Sequence, residues 1–370
     1  MDDHPPDSPL ALAPGVRVLV PSARPGTEGT SLAPGAGSGL DPNTDRLVRA
    51  CTSHAPLSCP LDADPLLEAR RVLKEGRAEA VVVLLPGEAV DAAPTGERVV
   101  VGSLEECAGA DGSDALVALL LAAQDPPRAR VLALTGARGG LGTSTFLLHV
   151  ARSCSARGQR VALLDADPAG GLGLLIGADL LPGLYWADLP DGEAAFRPER
   201  LVSALPTWLG MPVLTGDGRG GPASPEALVP ALEALRARHD LVVVDLPRGA
   251  PAPPGSTVLL VSALDLRSAV AAEALSRRLR QAGGHDDLHL LVRLDGEDVS
   301  AEELSVMVGA PVLATIVRER AVAQRIAHGD DPTRGRGRLR TQSRRVAARL
   351  LGAGQAGPGR DEGASCRSVS

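Results

Sequence analysis

Residues 131–145 run from an apolar stretch, Val131 to Leu134, directly into TGARGGLGTST, and Phe146, Leu147, Val150 and Ala151 follow at helical spacing. No other segment restricts the fold as strongly. A strand that ends in a glycine-rich turn and opens a helix points backbone N–H groups at an anion, usually a phosphate. Gly139, Gly140 and Gly142 permit the positive φ angles and close approach that such cradling needs. The usual phosphate loop ends in Gly-Lys-Ser/Thr, with the lysine on the β and γ phosphates. Here the tripeptide is Gly142-Thr143-Ser144, and the only lysine of the chain is Lys74.

Two further apolar strands end in carboxylates. VALLDADP (161–168) delivers Asp165 and Asp167 on one side, two residues apart, where a pair could orient a water or reach a metal's outer shell. LVVVDLP (241–247) ends in Asp245, the carboxylate expected to hold Mg²⁺ opposite the loop. Ser144 stands where a hydroxyl normally binds the same ion. Any one of these is an ordinary turn or cap. All three, each directly after an apolar strand, point to nucleotide-site ancestry at the carboxyl edge of a doubly wound sheet.

The hydrophobic periodicity supports that architecture. Strands are predicted at 131–135, 160–165, 212–215, 241–245, 257–262, 288–293 and 312–316. Helices are predicted at 143–157, 225–238, 266–282 and 300–308, and near 319–328 and 338–352. Runs such as LVVVD and TVLLV are apolar throughout, which implies a mostly parallel sheet covered on both faces by helices. Before Arg130 lies a smaller α/β segment. Its strands are predicted at 16–20, 80–85 and 98–101 and its helices at 64–75 (capped by Asp64) and 114–123, with loop up to about Pro42. QDPP in 124–128 reads as a linker. The division is therefore a disordered leader (1–15), an α/β domain (16–125), the phosphate-loop domain (130–352) and a disordered tail (353–370).

The α/β domain is receiver-like, but AVVVLL is followed by Pro86-Gly87-Glu88 and VRVLV by Pro21-Ser22. The acidic cluster of a phosphorylatable receiver is absent, so partner recognition is the expected role. Aromatic residues make up only 1% of the chain, so cores must be built from Leu, Val and Ala. Tyr185, Trp186 and Trp208 are read as core, with a partner surface as the alternative. His149, on the helix after the loop, is read as structural. Net charge is −7, which gives no overall attraction to nucleic acid or anionic membrane. Five cysteines without CxxC spacing read as free thiols in a reducing cytosol, and the histidines lack metal-ligand spacing. The N-terminus is acidic and Pro-rich, unlike a secretory signal, and no 18-residue apolar run exists. The expected location is the cytoplasm, at most peripheral to a membrane.

Arg138-Gly139-Gly140-Leu141-Gly142-Thr143-Ser144 resembles the deviant Walker A motif KGGxGK[ST] of the MinD/ParA family of ATPases. LLDADP is similar to that family's switch segment and VVVDLP to its Walker B strand. Leu313 to Gly329 resembles its last strand, adenine-side loop and following helix. Within the superfamily, the chain is similar to septum site-determining Ssd proteins and to the CpaE/TadZ proteins that localise pilus machinery. The resemblance implies a P-loop fold, ATP and Mg²⁺ as cofactors, and phosphate contacts from Arg138, Gly139, Gly140, Leu141, Gly142, Thr143, Ser144 and Thr145. It also implies Mg²⁺ at Ser144 and Asp245, with Asp167 as the switch carboxylate and catalytic residue. Partners would be division or pilus and secretion proteins and a second copy of the chain, with recruitment to septum, pole or inner membrane face; nucleic acid is not expected.

Two departures stand out. The lysine that reaches across the dimer in that family is Arg138 here, and the phosphate lysine is Thr143. Weak or absent hydrolysis is the expectation, with a working ATPase that relies on Arg138 as the alternative. Between Arg318 and Arg349 arginines dominate, and Leu339, Ser343, Val346 and Leu350 share one helical face. That stretch reads foremost as a terminal helix packed on the domain. A membrane-targeting helix and an anionic lipid or nucleic-acid contact are the alternatives.

Overall fold

The computed structural model describes residues 12–13, 15–22, 40–60, 63–90, 98–108, 112–177, 181–281 and 287–353. The predicted leader and tail lie almost wholly outside them, as does Cys366. Two compact units divide the chain. One takes the residues up to Arg130 with Trp186–Leu205 and Pro222–Val242; the other takes Val131–Tyr185, Pro206–Gly221 and the residues from Val243 onward.

The first unit is built on strands β1 (Val16–Ser22), β2 (Leu57–Pro60), β3 (Ala80–Leu85) and β4 (Val99–Ser103), with helices α1 (Pro42–Thr52), α2 (Pro65–Lys74), α3 (Gly87–Val90), α4 (Leu104–Ala108) and α5 (Gly112–Gln124). The strands form one parallel sheet in the order β2-β1-β3-β4. Successive side chains of a strand point to opposite faces, and β3 shows the consequence. Val82 and Leu84 join Val18, Val20, Val48, Leu116 and Leu120 in one core, while Val81 and Val83 join Leu19, Ala69 and Val72 in the other. Helices thus cover both faces of a sheet whose buried side chains are mostly valine and leucine.

Helix starts in this unit follow capping chemistry. The Asp41 carboxylate accepts from the N–H groups of Asn43 and Thr44 with Pro42 in the first turn, and Asp64 accepts from Leu66 N with Pro65 next. After β4, the Glu105 carboxylate accepts from Gly87 N at 2.9 Å and from Ser103 Oγ at 3.0 Å.

The rest of the chain contributes β5 (Arg130–Gly136), α6 (Thr143–Ser155), β6 (Val161–Asp165), α7 (Leu172–Ile176), α8 (Pro198–Ala204), β7 (Thr207–Trp208), β8 (Met211–Leu214) and α9 (Leu228–Arg238). After these come β9 (Leu241–Asp245), β10 (Thr257–Ala263), α10 (Leu266–Gln281), β11 (Leu288–Arg293), α11 (Ala301–Val308), β12 (Val312–Ile316), α12 (Arg320–Ala327) and α13 (Arg338–Ala353). Helices α8 and α9 pack on each other within the first unit. All eight strands belong to one sheet, ordered β12-β11-β10-β5-β9-β6-β8-β7. The pairs from β12 to β5, and β6 with β8, are parallel; only the two-residue edge strand β7 is recorded as antiparallel.

Strand order reverses at β5, which lies between β10 and β9 although it precedes both in sequence. That switch point opens a crevice at the carboxyl ends of the strands. Leu246 N donates to Leu134 O at 2.8 Å and Ala166 N to Asp245 O at 2.9 Å, which holds the ends of β5, β9 and β6 at one level. The glycine loop and both aspartate-bearing strand ends therefore share one edge.

Helix α13 lies against α6. Leu339, Ser343, Val346 and Ala347 are buried, and the hydroxyls of Ser343 and Ser153 meet at 3.0 Å. The apolar face of the arginine-rich helix is thus committed inside the fold, and a membrane-targeting helix would need it exposed. Tyr185, Trp186 and Trp208 are buried too, as core residues rather than a partner surface. Among the described residues, no helix is long and apolar enough to cross a membrane.

Candidate functional site

The loop between β5 and α6 owes its shape to three glycines. Gly140 and Gly142 have φ of 77° and 80°, and Gly142 is the residue from which α6 departs. A Cβ on Gly136 would lie 2.7 Å from Thr143 Oγ1 and 3.1 Å from Arg138 O, so a larger side chain there would crowd the loop. The same contact shows where Thr143 points. Its hydroxyl turns back against the end of β5. The first turn of the 13-residue helix α6 aims its N–H groups at the loop's concavity, which favours an anion.

A cavity of about 490 Å³ opens there, lined by residues 138–145 of the loop together with Asp167, Asp245 and Arg248. Every residue from Arg138 to Thr145 singled out in the sequence lies on it. Asp245 ends β9 with its side chain buried, and the Ser144 hydroxyl hydrogen-bonds to it. Burial pushes the Asp245 carboxyl up to about 7; the Ser144 bond opposes this, and the charges of Asp165 and Asp167 add to it.

The Asp165–Asp167 pair does not act as a pair. Asp165 is fully buried and accepts from Asp167 N (3.1 Å), Leu172 N (3.1 Å) and Thr215 Oγ1 (2.8 Å). Burial raises its carboxyl, with Asp167 N the first of the hydrogen bonds that pull it back. It organises the turn after β6 and is not on the cavity. Asp167 is, held by a bond from Ala169 N at 2.9 Å.

Ser144 and Asp245 form a hard-oxygen pair, with Asp167 on the same cavity. Mg²⁺ takes one or two carboxylates and completes its shell with water and phosphate, so this donor set suits it. No group of three or more His, Cys, Asp or Glu able to hold a metal exists among the described residues. A self-contained metal cage is thereby absent from them.

Arg138, expected on phosphate, lines the cavity but has partners in its own chain that the sequence did not show. Its Nε donates to Ser268 Oγ at 2.7 Å and its Nη2 lies 3.1 Å from Asp265 Oδ2. Asp265 is also the cap of α10, accepting from Ser268 N at 3.0 Å, and the Ser268 bonds ahead of Arg138 hold its carboxyl below the usual range. The guanidinium is therefore held within its own chain. Arg293, at the end of β11, was also missed. Its Nη1 donates to Gly140 O at 3.1 Å and fixes the loop from below. Beside it, a smaller cavity of about 190 Å³ brings Thr145 and Phe146 together with residues 316–319, the segment expected on the adenine side.

The profile of the family described as Cellulose biosynthesis protein BcsQ matches residues 129–295. An uncharacterized protein of Mycobacterium tuberculosis is 32% identical over 238 residues, covering 62% of this chain and 66% of that one. The chain thus spans just under two thirds of that relative's length. The chromosome partitioning protein ParA of Caulobacter vibrioides is 33% identical over 155 residues, covering 38% of this chain and 54% of ParA. A putative septum site-determining protein MinD of Emiliania huxleyi is 26% identical over 184 residues, covering 47% and 67%.

Over its phosphate-loop domain the chain is similar to MinD/ParA-like P-loop proteins. The glycine loop, Asp167 and Asp245 line one cavity, in the chain order in which the resemblance placed them. Arg138 and Thr143 occupy the two positions where the resembled motif has lysine.

Proposed function

We propose that this chain is a regulatory protein of septum placement or the cell cycle. It recruits protein partners, and its inherited nucleotide site binds Mg–ATP weakly with little or no turnover. One observation carries the reading. Thr143 stands at the phosphate-lysine position with its hydroxyl turned to Gly136, while Arg138, at the other lysine position, is tied to Asp265 and Ser268. A charge-assisted hydrogen bond is worth ~1.5–3 kcal/mol, so its loss weakens nucleotide binding by ~10–100-fold. Hydrolysis loses more, because charge accumulates on the transferring phosphoryl group.

With Arg138 held in cis, a nucleotide-sandwiched dimer lacks its crossing cation. Under this reading ATP and Mg²⁺ stabilise a conformation that partners recognise, with Ser144 and Asp245 on the ion and Gly139, Gly140 and Gly142 on phosphate. The first unit, without a receiver's acidic cluster, serves as a partner-binding module. The similarity to a MinD-named protein supports a role in division. A second reading, localisation of pilus or secretion machinery, draws support from the match to a cellulose biosynthesis family.

Imaging a fluorescent fusion in the source cell tests the proposal. A septal band is expected. Polar foci would transfer the argument to the second reading, and a diffuse signal would overturn both.

A further inference from the structure

We infer that Arg248 supplies the positive charge the phosphate loop lacks, by reaching the terminal phosphates of a bound nucleoside polyphosphate. The inference rests on the reading that the cavity takes a nucleotide, and it names the residue that makes this possible.

The charge balance of the cavity leads to it. Two carboxylates, Asp167 and Asp245, line the space, and among the described residues the cations on its lining are Arg138 and Arg248. A polyphosphate entering beside two carboxylates needs a countercharge fixed in the protein, beyond what one Mg²⁺ brings. Arg138 already has an ion pair with Asp265 and a hydrogen bond to Ser268. Arg248 is exposed and has no ion pair or side-chain hydrogen bond among the described residues.

Its backbone is well placed. Leu246 N is bonded to Leu134 O, so the segment after Asp245 is fastened to the strand that carries the loop. Ala250 N then donates to Pro247 O at 3.2 Å, and Gly249 has φ of 86°. Proline first, a hydrogen bond across four residues and a left-handed glycine third describe a tight turn with Arg248 at its second position. The turn holds the Cα steady and leaves the side chain to move. A guanidinium contacts phosphate oxygens through two parallel N–H donors, which an ammonium cannot do.

Calorimetric titration of the full chain with Mg–ATP and Mg–ADP, for wild type, Arg248→Ala and Arg248→Lys, tests the inference. The alanine variant is expected to bind Mg–ATP about tenfold or more weakly and to lose preference for ATP over ADP, with lysine retaining part of the affinity. An unchanged melting curve for the exposed substitution identifies the loss as local. Wild-type binding that survives in Arg248→Ala would overturn this inference alone. No wild-type binding at millimolar ATP would remove the nucleotide reading as well.

Discussion

Thr143 contributes a hydroxyl where the family places an ammonium, and Arg138 contributes a guanidinium that a neighbouring carboxylate has claimed. The loop glycines, Ser144, Asp167 and Asp245 were all legible in the sequence because each directly follows an apolar strand. The partners of Arg138 and the Gly140–Arg293 clamp were not. They lie 127 and 153 residues away along the chain, and no local pattern announces such pairings. Asp265 could have been read as a helix cap, though not as the residue that restrains Arg138. The pair is half-exposed, with Arg138 45% and Asp265 26% accessible, so it contributes about 1 kcal/mol or less. A phosphate can therefore compete for it. Asp265→Asn is expected to keep much of the cap, release Arg138 and tighten Mg–ATP binding about threefold by calorimetry. Weaker binding in that variant would mean Asp265 supports the site instead of restraining it.

The elements of the phosphate-loop domain were predicted to within a few residues. Their strands are buried on both faces, so their apolar runs are unbroken, and most of their covering helices carry a clear apolar stripe. The failures have local causes. Helix α1 begins on Asp41-Pro42, a good cap signal hidden at the end of a Gly/Pro/Ser stretch, and β2 is four residues ending in proline. The short α7 and α8 fall in the stretch after the switch segment, where no apolar period is long enough to read. Helix α13 shows how a charged element can still be a core element: its arginines face outward while Val346, fully buried, packs inward. Val346→Asp is expected to lower stability by about 3 kcal/mol, because it buries a charge without a partner. Urea unfolding measures this, and an unchanged midpoint would show that α13 is not docked on α6.

Across the whole molecule, the site carries an electrostatic strain that stability measurements can read. Asp245 ionises near 7 when folded and near 3.8 otherwise. The folded state holds its proton more tightly, so wild-type stability falls as pH rises from about 4 to 7 and is flat above that. The full effect is on the order of 4 kcal/mol. Asp245→Asn removes it, and its melting temperature is expected to exceed wild type by about 5 °C at about pH 8, with a much smaller gain at about pH 4.5. Equal gains at both pH values would place the effect elsewhere. The wider account depends on turnover. Phosphate release from saturating Mg–ATP, followed with wild-type protein over hours, tests it most directly. The account predicts release indistinguishable from the protein-free background. Sustained release at many turnovers per hour, lost in Arg138→Ala, would contradict it and make this chain a working ATPase.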